Sequence, residues 1–217
     1  MSRLTLIRHG QARSFDSDGP LTALGEAQAA SLACWWLRHG VRFDAVESGT
    51  LTRQVRTEQM VAEAFRAAGH DWPEARRDAA WNEYDAPGVL AAMGQPLPED
   101  SRAFHKLLET GMTAWLAGEL TGPCIEALPA FRERVAGALG RLMSGPSGRR
   151  VAVFTSGGVI GFALHCAMQS PPSAFLDVNW HVRNASLSEF LYDRDRLTLD
   201  AFNRIAHLED ESLWSYR

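Results

Sequence analysis

The feature that most constrains the fold is Val151-Ala-Val-Phe-Thr155, an apolar run that breaks into Ser156-Gly157-Gly158 and resumes as a helix-like segment from Val159 to Met168. A short, uninterrupted apolar run of this kind is a strand buried on both faces, and the glycines after it signal a turn. The arrangement occurs twice earlier: Leu4-Thr-Leu-Ile7 breaks at Arg8-His9-Gly10, and Phe43 to Glu47 breaks at Ser48-Gly49. Strands that each hand over to a helix build a largely parallel sheet with helices on both faces. The expected fold class is therefore α/β, a three-layer αβα sandwich around a mostly parallel sheet. Ligands bind beyond the carboxyl ends of such strands, so the residues after Ile7, Glu47 and Thr155 are the expected site.

The segments between the strands fill in the plan. Thr22 can cap a helix running to about His39, with Leu24, Ala27, Gln28, Ser31, Leu32 and Trp35 on one face and Gly40 as its stop. That face puts Trp35 in the core and Trp36 on the surface. Leu51 to Ala68 reads as a second helix ending at Gly69, and Glu74 to Glu83 as a strand or extended segment. Pro87 to Pro98, with two glycines and three prolines, reads as a loop. Helices follow over Glu99 to about Leu116 and over Leu128 to Met143, where Phe131, Val135, Leu139 and Leu142 share one face. Ser186 to Tyr192 and Leu197 to Phe202 alternate as strands around a charged turn, Asp193 to Arg196. The chain is expected to be one domain over residues 1–217, with residues 86–145 as a mainly helical cap.

Composition excludes several classes of function. With 217 residues, 46% hydrophobic and 22% charged, the chain can bury a sizeable core and is neither fibrous nor disordered. A net charge of −4 gives no general attraction to nucleic acid or to an anionic membrane, so an anionic substrate needs a locally built site. The positive charge is almost all arginine, Lys106 being the sole lysine, and the arginine fork suits phosphate or carboxylate. Cys34, Cys124 and Cys166 are odd in number and far apart, which fits reduced, buried thiols in a cytoplasmic protein. No stretch approaches the ~18 apolar residues of a membrane span.

The three strand ends supply parts that handle phosphate. Arg8-His9-Gly10 comes first, then Ser48 with Arg53 one turn into the next helix, then Ser156-Gly157-Gly158. Arginine forks clamp phosphoryl oxygens, glycines admit close backbone approach, and N–H groups at helix starts favour anions. His9, with an ordinary pKa of about 6.5, can be neutral and nucleophilic. The tripeptide means little by itself, because Arg38-His39-Gly40 repeats it where a helix is expected to end, and a basic residue and a glycine belong there for structural reasons.

Together these residues resemble the histidine phosphatase superfamily, which includes the cofactor-dependent phosphoglycerate mutases. The resemblance is carried by Leu6-Ile-Arg-His-Gly-Gln11, Leu21-Thr-x-x-Gly25-x-x-Gln28-Ala29 and Ser48-x-x-Leu51-x-Arg53-x-x-x-Thr57. It continues through Asn82-Glu83, Val153-Phe-Thr-Ser-Gly-Gly-Val-Ile160, and Asn203, His207 and Leu208, in order along nearly the whole chain. It implies a phosphohistidine mechanism in which His9 attacks phosphorus, Arg8 and Arg53 neutralise its oxygens, and Glu83 protonates the leaving oxygen. Asp85 lies two residues from Glu83 and is an alternative acid. Gly10, Gln11, Ser48, Ser156 and Gly157 are the expected phosphate or substrate contacts, with loop capping an equal alternative for Gln11 and Ser48. No metal and no organic cofactor is implied.

One position departs from the family pattern. Ser156 stands where the family places a second histidine, and a neutral, shorter donor there implies a loss of roughly 10²–10³ in rate. His165 and His181 are the other histidines that could bring an imidazole to the site, and Trp81 and Tyr84, flanking Glu83, are expected at its mouth. The expected function is hydrolysis of a small phosphorylated metabolite. The alternatives are a mutase, for which the nearly uncharged Ala86 to Pro98 offers no added basic cluster, and a catalytically weak phospho-ligand binder, which Ser156 supports. The oligomeric state is not legible in the sequence.

Overall fold

A computed structural model of the chain describes residues 1–13, 18–98, 100–120, 122 and 125–216. β1 (Ser2–Arg8) leads to α1 (Ala23–Arg38), β2 (Ala45–Ser48) to α2 (Thr52–Ala67), and β3 (Ala75–Arg77) to a 3₁₀ turn at Ala79–Trp81. Three helices follow, α3 (Ala86–Ala92), α4 (Ser101–Leu116) and α5 (Leu128–Met143). The chain returns to the sheet as β4 (Arg150–Thr155), adds α6 (Gly157–Met168) and α7 (Ala174–His181), and closes with β5 (Leu187–Tyr192) and β6 (Leu197–Arg204).

The six strands lie in the order β3-β2-β4-β1-β5-β6. β3, β2, β4 and β1 run parallel, while β5 and β6 add an antiparallel edge. The registers level the strand ends: Arg8 lies opposite Thr155, and Ser48 opposite Phe154. The loops after β1, β4 and β2 therefore leave the sheet side by side, as the sequence pattern requires of a site-bearing edge.

Alternation along the strands sorts the core into two layers. Leu4, Leu6, Val151 and Val153 face a cluster with Trp115, Phe131, Val135 and Phe162 from α4, α5 and α6. Ile7, Ala152 and Phe154 face the other side, against Leu32, Trp36, Phe65 and Trp72. β1 and β4 thus carry apolar residues on both faces because both faces are covered. Residues of α3 and α4, including Val89, Leu90, Phe104 and Leu108, belong to the first of these clusters and share its core.

Several expectations are corrected. Pro87 to Pro98 is not all loop, because α3 begins there. Asp85 caps the helix by accepting from the Gly88 N–H at 2.9 Å, and Pro87 sits in the first turn, where a missing N–H costs nothing. α7 was not foreseen; it is short and follows Pro171-Pro172. On α1 the buried face is Gly25, Gln28, Ala29, Leu32, Ala33 and Trp36, so Trp36 is inside and Trp35 only half-buried. Polar contacts made by Gln28 and the close approach of Gly25 to the Gln11 backbone select that face. Cys34 and Cys166 are exposed, not buried, while Glu99 and Cys124 lie outside the described residues. Thr22 does cap α1 (Gly25 N–H to Oγ1, 3.1 Å), and His39 and Gly40, the latter at φ +61°, end it. No helix among the described residues is long and apolar enough to cross a membrane.

Candidate active site

His9 sits immediately after β1, and the neighbouring elements fix its backbone. Its N–H donates to the Thr155 carbonyl (3.0 Å), and its carbonyl accepts from the Ala185 N–H (3.1 Å) and the Asn184 side chain (3.3 Å). The Gly10 N–H donates to Thr57 Oγ1 (3.0 Å), and Thr57 in turn donates to the Arg53 carbonyl (2.7 Å), tying the loop to α2. A side chain on Gly10 would collide with the Gly25 carbonyl, and one on Gly25 with the Gln11 backbone. Both glycines are required for the loop to lie directly on α1.

The hydrogen bonds set the state of the His9 ring. Nδ1 is 2.7 Å from the Gly10 carbonyl, which can only accept, so Nδ1 carries the proton. Nε2 then holds the lone pair, and it accepts from Arg53 Nε at 3.1 Å. Burial, followed by the charges of Arg53 and Arg8, holds the His9 pKa well below its ordinary value, so the ring is neutral at pH 7. A neutral ring with Nε2 as a lone-pair donor is the form in which histidine is a nucleophile.

Glu83 faces the same space. Its carboxylate accepts from the Gly158 N–H at the start of α6 (3.0 and 3.3 Å) and from the Tyr84 N–H (3.2 Å). Burial nonetheless raises its pKa, against the opposing pull of Arg53 and Arg8. Gly158 must be glycine, because a Cβ there would overlap Glu83 and Tyr84. The backbone that carries Glu83 is clamped from α5: Arg134 donates to the carbonyls of Ala80 (3.0 Å), Asn82 (2.7 Å) and Glu83 (3.1 Å), and its fork is held by Glu126.

Residues 213–216 support the site from behind. Gln28 donates to the Leu213 carbonyl (2.7 Å) and to Ser215 Oγ (2.9 Å), and the Asn184 N–H donates to the Ser215 carbonyl (2.9 Å). Arg8 donates to the carbonyls of Tyr216 (2.8 Å) and Val182. The guanidinium at the end of β1 is thereby fixed by two distant segments.

Arg8, His9, Arg53 and Glu83 open into one cavity of about 560 Å³, with Arg13 and Asn82 also on its wall. The model of the histidine phosphatase superfamily (branch 1) matches residues 4–205. The chain belongs to this superfamily. Its fold is also that of an alpha-ribazole phosphatase from Shigella flexneri, with TM-score 0.68 and 20% identity over 94% of this chain and 96% of that one. A phosphoserine phosphatase from Entamoeba histolytica, in complex with 3-phosphoglyceric acid, superposes with TM-score 0.67 and 20% identity over 96% and 100% of the two chains. A phosphoglycerate mutase from Bacillus anthracis does so with TM-score 0.67 and 16% identity over 96% and 95%. No curated protein sequence matches the chain.

In this histidine phosphatase superfamily member Tyr84 and Asp85 line the cavity, whereas Gly10, Gln11, Ser48, Trp81, Ser156 and Gly157 do not. Gln11 Oε1 accepts from Thr22 (2.8 Å), and its N–H donates to Gln28, which is the capping alternative. Ser48 is wholly buried, with its hydroxyl donated to the Gly49 carbonyl (2.8 Å). Ser156 is also wholly buried; its hydroxyl accepts from Gln54 Nε2 (2.9 Å), which also bonds the Trp81 carbonyl (3.0 Å). Gly157 packs between Asn179 and the Arg8 guanidinium. Asp85 reaches the cavity rim, but its carboxylate caps α3. Tyr84 lines the cavity, whereas Trp81 is fully buried and donates its indole N–H to Glu47 (2.6 Å).

Neither further histidine supplies an imidazole. His181 is exposed, with Nδ1 at the Asp177 carbonyl (2.7 Å), and His165 packs on the Phe162 ring. No group of three or more His, Cys, Asp or Glu among the described residues is arranged to hold a metal. Sequence reasoning missed Arg134, Gln54 and Asn179, the last of which donates to the Tyr84 hydroxyl (3.2 Å). Arg134 alone left a signal, as a charged residue one step from the apolar face Phe131, Val135, Leu139 of α5.

Proposed function

We propose that this protein is a phosphomonoester hydrolase acting through a phosphohistidine on His9. The observation that carries the proposal is the pairing of opposite shifts within one cavity: a histidine whose pKa is lowered by burial and by Arg53 and Arg8, facing the same space as a carboxyl group whose pKa burial raises. Shifts of this kind favour the neutral form of each group, which suits a histidine nucleophile and a carboxyl acid. The phosphatases and the mutase that share the fold support the same chemistry.

A phosphoryl group enters between Arg8 and Arg53, whose guanidinium turns from His9 Nε2 toward the phosphoryl oxygens and frees the lone pair. Nε2 attacks phosphorus, the P–N bond forms, and the P–O bond to the alcohol breaks. Glu83 gives its proton to the departing oxygen, while the Nδ1–H bond to the Gly10 carbonyl steadies the charge gained by the ring. Water then attacks the phosphohistidine, returns a proton to Glu83 and releases inorganic phosphate with His9 regenerated. Acid–base assistance of this kind contributes roughly 10²–10⁴ in rate.

The mutase alternative finds no support in the cap. Among the described residues, the part of the wall formed by α3 and α4 contributes no basic side chain that could retain a second phosphoryl group. The binder alternative rests on Ser156, since no second imidazole lines the cavity among the described residues. A single assay separates these: p-nitrophenyl phosphate hydrolysis between pH 5 and 8, with acid-labile phosphate trapped on the protein during turnover. We expect turnover and a labile phosphoprotein in the wild type and neither in His9→Ala. Turnover retained by His9→Ala would remove the nucleophile, and binding without wild-type turnover would establish the binder.

A further inference from the structure

The cavity is two-sided, and the side away from His9 has its own chemistry. Arg8 and Arg53 stand beside His9 and Glu83, and Arg13 of the loop after β1 also lines the cavity, whereas α3, α4 and the segment between them contribute Pro87, Leu90, Leu97, Phe104 and Leu108, with Gln95 as a neutral polar group. Leu90, Phe104 and Leu108 are each less than 10% exposed, so this wall is packed and shaped rather than merely greasy surface. Leu97 is 57% exposed and carries the apolar strip out over the rim.

Charge on the cap points the other way. Arg102, His105 and Lys106 of α4 are exposed and lie outside the cavity lining, and the charged group at the rim, Asp85, is anionic. A leaving group with its own carboxylate or phosphate would meet Asp85 and an apolar wall, with no cation among the described residues of α3 and α4 to receive it. A phosphoryl group alone does not fill about 560 Å³, whereas pockets of roughly 300–1,000 Å³ typically enclose a whole ligand.

From this we infer that the phosphomonoester accepted at His9 carries an apolar leaving group, an alkyl or aryl alcohol with no second anionic group, held against α3 and α4. This rests on the hydrolase proposed above. Each methylene that leaves water on such a wall is worth about fourfold at full burial and about twofold at partial burial.

The test uses n-alkyl phosphates of increasing length with phosphoserine as the charged comparator. We expect kcat/KM to rise about tenfold or more from ethyl through butyl to hexyl phosphate, and phosphoserine to fall below butyl phosphate. Leu97→Gln, at an exposed position that tolerates substitution, should cut the hexyl-to-ethyl ratio about threefold. A flat series, or a preference for phosphoserine, overturns the apolar leaving group and leaves the hydrolase intact. Absence of turnover with every phosphate overturns the hydrolase instead. Calorimetric affinities of ethyl and hexyl phosphate then decide the inference on their own: tighter hexyl phosphate supports it, and equal affinities overturn it.

Discussion

At the scale of single residues, the proposed chemistry requires His9 deprotonated and Glu83 protonated. Because the His9 pKa is depressed and that of Glu83 raised, activity should rise with pH below the ordinary histidine value of about 6.5 and fall again as Glu83 ionises. Glu83→Gln keeps an acceptor for the Gly158 N–H but has no proton to give. It should remove the alkaline limb of the pH profile and lower kcat roughly 10²–10⁴-fold for alkyl phosphates, with a smaller loss for nitrophenyl phosphate, whose leaving oxygen needs little protonation. An equal loss with both leaving groups would make Glu83 structural. The sequence made Arg8, His9 and Arg53 legible because they follow recognisable strand-to-loop breaks, and Glu83 through the resemblance to the family alone. It left Glu83 and Asp85 undivided, since two acids two residues apart differ only in what distant parts of the chain offer them: the α6 N-terminus for one and the start of α3 for the other.

At the scale of elements, α5 acts on the cavity without reaching it. Arg134 gathers the carbonyls of Ala80, Asn82 and Glu83, and charge-assisted hydrogen bonds of this type contribute about 1.5–3 kcal/mol each. Arg134→Met should lower Tm by about 4–8 °C and reduce kcat more than it raises KM, as thermal melts and steady-state kinetics would show. A fall in Tm with unchanged kcat would mean that the clamp serves stability alone. β1, β4 and α5 could be read from sequence because burial wrote their pattern directly. α3 could not, since its prolines and glycines are loop signals until Asp85 and the first helical turn absorb them. The face of α1 was read one position off, because Gly25 and Gln28, which choose it, do so through backbone approach and polar contacts that hydrophobic spacing does not record. Ser156 and Ser48 looked exposed to ligand at their strand ends, yet the hydroxyl of each is spent on a neighbouring group.

At the scale of the whole molecule, buried histidines set the response to acid. His207 is 3% exposed, and burial lowers its pKa to about 4. Between about pH 6.5 and 4 the unfolded chain binds a proton there that the folded chain refuses, so stability falls as pH falls through that window, by about 3 kcal/mol. His9 acts in the same direction, and Glu83 in the opposite one, since its raised pKa lets the folded state hold a proton that the unfolded chain has lost. Urea unfolding at pH 7 and pH 4.5 should show His207→Gln losing about 2–3 kcal/mol less than wild type across that interval; equal losses would mean that His207 is not refused its proton. The strap formed by residues 213–216 bears on another matter, the order in which the molecule comes into being. β1 is made before the other elements described, yet it pairs with β4 and β5, and Arg8 is held by Tyr216. Contacts of such long sequence separation form late. A growing chain therefore carries its nucleophile before the groups that orient it exist, and phosphate chemistry is expected to begin only once the chain has been made as far as Tyr216.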